Sequence, residues 1–250
     1  MADALLSIRA LNKHFGGIVA TDDVSLDIER GGVHAIIGPN GAGKTTLISQ
    51  LCGQLKSDSG DIVFDGHSIV DLSTAKRAQT GLARSFQITS IVQPMTLLEN
   101  VAMAVQARSG HSYRFWLPVR NEAAIQDAAQ ACLEALDLGD RAHRIAGEVS
   151  HGEQRQLEVA MALAMEPKLL LLDEPMAGLG KEESARMIEI LASLTPARTI
   201  LLVEHDMDAV FSLANCLSVL VNGRVIATGT VDEIRTNVDV QRAYLGDSHA

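Results

Sequence analysis

A glycine-rich segment followed by a lysine and a threonine lies between an apolar stretch at residues 33–37 and a helical pattern that starts at Thr46. It matches the pattern G-x-x-x-x-G-K-[ST], in which backbone amides and a helix N-terminus surround phosphate oxygens. Lys44 would neutralise the β- and γ-phosphates, and the Thr45 hydroxyl would ligate Mg²⁺. The segment therefore predicts ATP binding by Gly38, Pro39, Asn40, Gly41, Ala42, Gly43, Lys44, Thr45 and Thr46.

A second candidate is an acidic pair, Asp173 and Glu174, directly after four consecutive leucines at 169–172. Asp173 would hold Mg²⁺ through water, and Glu174 would polarise the attacking water as a general base. An apolar strand that ends in two acids is by itself often only a strand that leaves the core. Beside the glycine-rich segment, however, the pair indicates hydrolysis of ATP.

These residues need a scaffold that brings the ends of separate strands together. Short apolar stretches with strand character come first, at residues 5–11, 24–29, 33–37 and 61–64. Helical patterns with alanine-rich apolar faces follow, at residues 97–107, 121–136 and 153–165. From residue 169 strands and helices alternate, which predicts a largely parallel sheet covered on both sides.

Composition limits the class of protein. The chain has 250 residues, 47% of them hydrophobic and 21% charged, as expected for one folded domain with an insertion. With 21 basic and 31 acidic residues the net charge is −10, so we expect no nucleic-acid partner. Cys52, Cys132 and Cys216 match no metal-ligand or disulfide spacing, which indicates a reducing compartment.

We expect neither a signal peptide nor a membrane-spanning helix. Residues 1–10 lack the basic, apolar and small-residue regions of a secretory signal. No apolar run approaches the roughly 18 residues needed to cross a bilayer. The prediction is a cytoplasmic protein whose membrane association comes through a partner.

Shortly before the acidic strand, residues 149–156 read Val-Ser-His-Gly-Glu-Gln-Arg-Gln. Ser150, Gly152 and Glu153 make this segment resemble the Leu-Ser-Gly-Gly-Gln signature of the ATP-binding cassette (ABC) family. In that family the signature caps the γ-phosphate of ATP held by a second subunit. Ser150 with Glu153 three residues later is also a capping box, and both interpretations can hold together because a helix N-terminus binds phosphate.

The resemblance covers nearly the whole chain and implies roles for three more residues. Gln87 is similar to the family's glutamine that reaches Mg²⁺ and the attacking water, although a glutamine after a strand is often only a loop residue. His205 follows a strand as the family's switch histidine does, where it contacts the γ-phosphate. Phe15 is similar to the aromatic residue that stacks on adenine, with core packing as the alternative. The implied catalytic residues are Glu174, His205, Gln87 and Lys44, and the implied metal-binding residues are Thr45, Gln87 and Asp173.

The family resemblance also implies the architecture. It predicts a P-loop NTPase core of mainly parallel sheet flanked by helices, with an N-terminal antiparallel β subdomain and an inserted α-helical subdomain. Residues 1–88 and 166–250 would form the core and the β subdomain. Residues 89–165 would form the helical subdomain, and residues 229–250 a C-terminal tail.

Two positions depart from the family pattern. His151 replaces the first glycine of the signature, and Gly180 stands where the loop after the acidic pair usually carries an acidic residue or asparagine. Gly180 removes a side chain that would link two nucleotide sites, so we expect altered coupling between sites. Both a homodimer and a heterodimer with a similar ATPase remain open, and the departures favour the heterodimer.

The tail at 229–250 and the motif at 203–207 resemble the ATPase subunits of branched-chain or hydrophobic amino-acid importers. This implies transmembrane permease subunits, a second ABC ATPase subunit and, indirectly, a solute-binding protein as partners, with the chain at the inner face of the membrane. The alternatives are a urea-type importer, a lipopolysaccharide exporter and a soluble ABC ATPase. Within the insert at 108–131, Tyr113, Phe115 and Trp116 form either part of the permease docking surface or an anchor onto the helical block.

Overall fold

The computed structural model of the chain describes residues 4–85, 91–108 and 123–246. They form an antiparallel sheet, a mostly parallel sheet, and helices that pack against both. Within these ranges no helix is long and apolar enough to cross a bilayer.

The antiparallel sheet contains four strands in the order β2-β1-β4-β5. Its strands are β1 Ala4–Phe15, β2 Ile18–Glu29, β4 Ser59–Phe64 and β5 His67–Ser68. β1 and β2 are longer than the apolar stretches predicted, because they continue into an exposed hairpin that turns at Gly16 with φ +59°. The apolar alternation that marks a half-buried strand is absent from that hairpin, which explains why the sequence pattern missed it.

The second sheet contains six strands in the order β10-β9-β3-β8-β7-β6. Its strands are β3 Gly32–Ile37, β6 Leu82–Arg84, β7 Leu169–Asp173, β8 Thr199–Val203, β9 Cys216–Val221 and β10 Arg224–Gly229. Every pairing is parallel except that of β10 with β9. The predicted mainly parallel sheet is therefore confirmed.

Helices pack against the two sheets and against one another. They are α1 Lys44–Leu51, α2 Thr74–Thr80, α3 Leu97–Arg108, α4 Ala123–Glu134, α5 His151–Leu163, α6 Lys181–Leu194, α7 Met207–Leu213, α8 Val231–Thr236 and α9 Val238–Gly246. The sequence pattern missed α2 and β6. Helix α2 buries only Arg77, so it carries no apolar stripe, and β6 is three residues long.

The central strands are buried on both faces, and their alternate residues enter two different cores. Leu169 and Leu171 of β7 pack with α1 and the antiparallel sheet, while Leu170 and Leu172 pack with the helices on the other face. All five residues of β7 are buried. This two-sided burial explains the continuous leucine run and fixes where the following acidic pair emerges.

A chain of polar side chains runs from the buried His34 to the edge of the parallel sheet at β10. His34 of β3 is 5% exposed, and its Nε2 is hydrogen bonded to Ser218 Oγ of β9 at 2.9 Å. Ser218 Oγ is in turn 2.8 Å from Thr228 Oγ1 of β10. Burial alone lowers the pKa of His34 from 6.5 to about 4, so the imidazole is neutral in the folded chain at neutral pH.

Candidate active site

The sequence-predicted residues meet at one edge of the parallel sheet. The glycine-rich loop follows β3, His205 follows β8 and the acidic pair ends β7, and these three strands are neighbours with carboxyl ends pointing the same way. In open α/β sheets, ligands bind outside the carboxyl ends of the strands. The topology therefore brings together side chains that lie more than a hundred residues apart in the chain.

Two glycines let the phosphate loop run close to other backbone segments. A Cβ on Gly43, which has φ +103°, would come within 2.1 Å of the Ala20 carbonyl oxygen. A Cβ on Gly38 would come within 2.1 Å of the Leu220 carbonyl oxygen. The loop is thus held against the antiparallel sheet and β9, and only glycine fits at either position.

The start of α1 is open to an anion. Its N-cap residue, Gly43, has no side chain to accept from the first-turn amides, and no acidic residue lies in that turn. The Leu47 amide is the first in the helix to donate to a loop carbonyl, that of Gly43, at 2.9 Å. The first-turn amides, which have no partner among the described residues, and the helix dipole together suit a phosphate group.

The Lys44 side chain lies inside the loop. Its Nζ donates to the carbonyl oxygens of Gly38 at 2.6 Å and Pro39 at 3.0 Å, and the residue is buried. Burial lowers the pKa of Lys44, and the negative charges of Glu174 and Asp173 oppose that shift. The ammonium group is therefore surrounded by acceptors at the place where the motif predicts phosphate oxygens.

Asp173 and Glu174 occupy different environments although they are adjacent. Asp173 is buried, and its Oδ2 accepts from Arg84 Nη2 at 2.7 Å. Burial raises the pKa of Asp173, while the neighbouring Arg84 opposes the shift. Glu174 is partly exposed and takes a left-handed backbone conformation with φ 51°, which is uncommon for a residue other than glycine.

This conformation turns Glu174 toward the histidine that follows β8. Glu174 Oε1 lies 3.6 Å from His205 Nδ1. A partly exposed carboxylate beside an imidazole, with a buried carboxylate next to it, is suited to orienting a water molecule against a phosphate.

Glu204 joins the two loops that carry these residues. It is 1% exposed, and its Oε1 accepts from the Met176 amide at 2.9 Å. Its Oε2 accepts from the His205 amide at 3.0 Å and the Asp206 amide at 3.4 Å. The loop after Glu174 and the loop that carries His205 therefore share one buried carboxylate.

The segment that resembles the ABC signature begins α5. Ser150 Oγ accepts from the Glu153 amide at 3.2 Å, and Glu153 Oε2 accepts from the Ser150 amide at 2.8 Å, so the predicted capping box is confirmed. Glu153 also pairs with Arg141. Gly152 is buried against Glu183 of α6, whose Oε1 would lie 2.5 Å from a Cβ at that position.

The two departures from the family pattern lie close to each other. The His151 Nε2 atom is 3.0 Å from the position that a Cβ would take on Gly178, in the loop after the acidic pair. Two residues later Gly180 precedes α6, and its amide donates to Glu183 Oε2 at 3.0 Å. The signature segment and the loop after Glu174 are therefore in contact within one subunit.

Phe15 lies at the exposed end of the β1–β2 hairpin. It is 47% exposed, and Lys13 Nζ lies 5.6 Å from the centre of its ring. The alternative of core packing does not hold for this residue, and an exposed aromatic face remains available for stacking.

Gln87 lies outside the described residues, as do Tyr113, Phe115 and Trp116. Among the residues that are described, no group of three or more His, Cys, Asp or Glu side chains has the arrangement of a metal site. A hydroxyl and a buried carboxylate suit Mg²⁺, which usually binds one or two carboxylates together with substrate phosphates and waters. Thr45 and Asp173 therefore fit this ion.

Sequence reasoning missed three largely buried charged residues: Arg84 and Glu204 at the site, and Arg77 at the C-terminal end of α1. The Arg77 guanidinium caps the C-terminal end of α1 and the nearby turn by donating to the carbonyls of Gln50, Leu51, Val70 and Leu72. The sequence pattern that could have indicated Arg84 and Glu204 is a charged residue at the end of a strand or directly after an apolar strand. That pattern alone does not identify the partner.

Two family models match the chain. One described as ABC transporter matches residues 21–177, and one described as Branched-chain amino acid ATP-binding cassette transporter matches residues 224–250.

Two full-length relatives are close to this chain. It is 37% identical to the high-affinity branched-chain amino acid transport ATP-binding protein LivG of Salmonella typhimurium, with 99% of this chain and 100% of the relative aligned. It is 36% identical, over the same shares, to the high-affinity branched-chain amino acid transport ATP-binding protein BraF of Pseudomonas aeruginosa.

Solved structures have the same fold. The ADP conformation of an ATP-binding cassette of an ABC transporter superposes with a TM-score of 0.86 and 31% identity, covering 97% of this chain and 99% of that one. A nucleotide-free cassette from an ABC transporter superposes with a TM-score of 0.85 and 30% identity, covering 96% and 98%.

Proposed function

Because the chain belongs to the ABC transporter family and is an ATPase of that family, we propose that it drives a membrane importer of branched-chain or other hydrophobic amino acids. The main support for the ATPase mechanism is that four residues lie at the carboxyl ends of adjacent strands: Lys44, Asp173, Glu174 and His205. The match of residues 224–250 to a branched-chain amino acid family model supports the solute class, as do the names of the full-length relatives.

In this proposal the phosphate loop positions ATP for in-line attack. The first-turn amides of α1 and the Lys44 ammonium bind the β- and γ-phosphates, and Lys44 gives up its bonds to the Gly38 and Pro39 carbonyls as it does so. Phe15 stacks on the adenine. Binding the nucleotide at both ends converts hydrolysis into an oriented, nearly unimolecular step.

Glu174 is the general base in this proposal. Its carboxylate accepts a hydrogen bond from the attacking water and takes its proton, while His205 donates to the γ-phosphate oxygens as negative charge spreads over them. Glu204 fixes the relative positions of Glu174 and His205, since it accepts hydrogen bonds from backbone amides of the two loops that carry them. Gln87 is assigned to orienting the same water by its place in the sequence.

Thr45 and Asp173 would hold Mg²⁺, with Gln87 as a further ligand. The ion would neutralise charge on the phosphates during transfer.

The signature segment completes the site of a second subunit in this proposal. Ser150 and His151 are exposed at the N-terminus of α5, where Ser150, Gly152 and Glu153 would contact the γ-phosphate bound by the partner. His151 and Gly180 lie next to that surface and depart from the family pattern, which favours a similar but different ATPase as the partner. ATP binding would close the dimer and hydrolysis would open it, driving the attached permease subunits at the inner face of the membrane.

Co-purification tests this assignment. A tagged chain recovered from detergent-solubilised membranes of its source organism should bring with it polytopic membrane subunits and a second cassette ATPase. The control is an unrelated soluble ATPase that carries the same tag, which should recover neither the membrane subunits nor the second cassette ATPase. Recovery of an active ATPase with soluble proteins only would contradict the transporter assignment and support a soluble ABC ATPase instead.

A further inference from the structure

Arg84 lies directly against the carboxylate assigned to Mg²⁺. It ends the short strand β6, which pairs in parallel with β7, and its Nη2 is 2.7 Å from Asp173 Oδ2. The Arg84 side chain is 9% exposed and the Asp173 side chain 1%. Arg84 Nη1 also donates to Gln54 Oε1 at 2.6 Å, so the guanidinium joins the acidic strand to the segment that follows α1.

One donor of the guanidinium has no partner in the part of the chain that the structure describes. Arg84 Nε is buried and has no hydrogen-bond partner among the described residues. Beside it is a cavity of about 280 Å³, whose wall includes Arg84, Gln54, Cys52 and Met161. A buried ion pair needs excellent geometry and full hydrogen bonding to offset desolvation. In the described part of the chain, this pair has one donor without a partner and a cavity next to it.

A guanidinium and a divalent cation cannot both neutralise one buried carboxylate to the full extent. In a poorly solvated site, two cations at the same carboxylate repel each other strongly. A metal ion held at Asp173, directly or through water, would weaken the bond from the guanidinium, and the adjacent cavity gives Arg84 room to move away.

We propose that Arg84 is a displaceable counter-ion of Asp173. It compensates the buried carboxylate while the metal is absent, competes with Mg²⁺ for it, and so sets the metal concentration at which the nucleotide site is completed. This inference rests on the proposed function, since it takes Asp173 as a metal-binding residue. Arg84 is accordingly a positioning residue that acts through Asp173.

Direct metal titration tests the proposal. With protein in excess over ADP, Mn²⁺ binding is measured by electron paramagnetic resonance for wild type and Arg84→Gln, and ADP affinity is measured separately in EDTA. Arg84→Gln should tighten Mn²⁺ binding by about 5- to 150-fold, the usual range for coupled ligands, and leave ADP affinity in EDTA within about twofold. Arg9→Gln is the matched control, because Arg9 pairs with Asp27 on the solvent-exposed face of the antiparallel sheet. It should behave as wild type.

An unchanged or weaker Mn²⁺ affinity in folded Arg84→Gln would overturn the proposal. If that variant does not fold, Arg84→Lys replaces it, because a lysine keeps a cation but loses the fork that spans Asp173 and Gln54. It should tighten Mn²⁺ binding by a smaller factor, and no tightening again overturns the proposal. Absence of nucleotide-dependent Mn²⁺ binding in wild type would instead count against the proposed metal site itself.

Discussion

Replacing Glu174 with glutamine should lower the rate of ATP turnover by about 10²- to 10⁴-fold while ATP still binds. Glutamine keeps the size and hydrogen-bonding reach of the side chain but cannot accept a proton from water. We assign this step to Glu174, whose partly exposed carboxylate lies 3.6 Å from His205. The measurement is steady-state phosphate release, with ATP affinity determined by calorimetry on the same preparations.

Glu189→Gln is the matched control for this variant. Glu189 is exposed on α6, away from the strand edge. The Glu189→Gln substitution removes the same charge as Glu174→Gln, so this variant should hydrolyse ATP at the wild-type rate. Undiminished hydrolysis by Glu174→Gln would remove Glu174 as the base. Loss of ATP binding in that variant would mean that Glu174 supports the site rather than the chemistry.

Acidification from pH 7.5 to pH 5 should lower the free energy of unfolding of wild type by about 2 kcal/mol more than that of His34→Gln. The folded chain lowers the pKa of His34 from 6.5 to about 4, so the unfolded chain binds a proton at a higher pH than the folded one. The stability that neutral His34 contributes is therefore present above pH 6.5 and is lost as the pH falls toward 4. The full loss across that window is about 3 kcal/mol.

Urea unfolding at several pH values measures this difference. Glutamine at position 34 keeps a hydrogen-bonding partner for Ser218, and it does not titrate. Carboxylates shared by both proteins cancel in the comparison. An identical pH dependence for wild type and His34→Gln would contradict the assignment of the shift to this buried histidine.

Much of the fold followed from local patterns. The leucine run at 169–172 and the apolar stretch at 33–37 were predicted as strands from their apolar residues. The structure shows both as buried strands. The resemblance to the ABC family, made on the phosphate loop, the acidic pair and the signature segment, is confirmed by the family model and by full-length relatives. The roles of individual site residues stay predictions.

The missed features depend on contacts between distant parts of the chain. Helix α2 has no apolar stripe and is anchored by the buried Arg77, whose guanidinium binds carbonyls of α1 more than 20 residues away. The Arg84–Asp173 pair joins residues 89 positions apart. Such partners are set by strand order, which local periodicity does not contain.

Glu204 illustrates the same limit at the site. Its sequence context, between an apolar strand and His205, is equally compatible with a solvated loop carboxylate. Only the parallel register of β7 with β8 brings the Met176 amide within hydrogen-bond distance of it.

Uptake of radiolabelled leucine is the most direct test that this ATPase drives amino-acid import. Cells of the source organism that lack the chromosomal copy would be supplied with wild type, Glu174→Gln or Glu189→Gln. Wild type and Glu189→Gln should restore uptake, and Glu174→Gln should not. Equal uptake of leucine, isoleucine and valine in all three strains, with hydrolysis lost only in Glu174→Gln, would contradict the account.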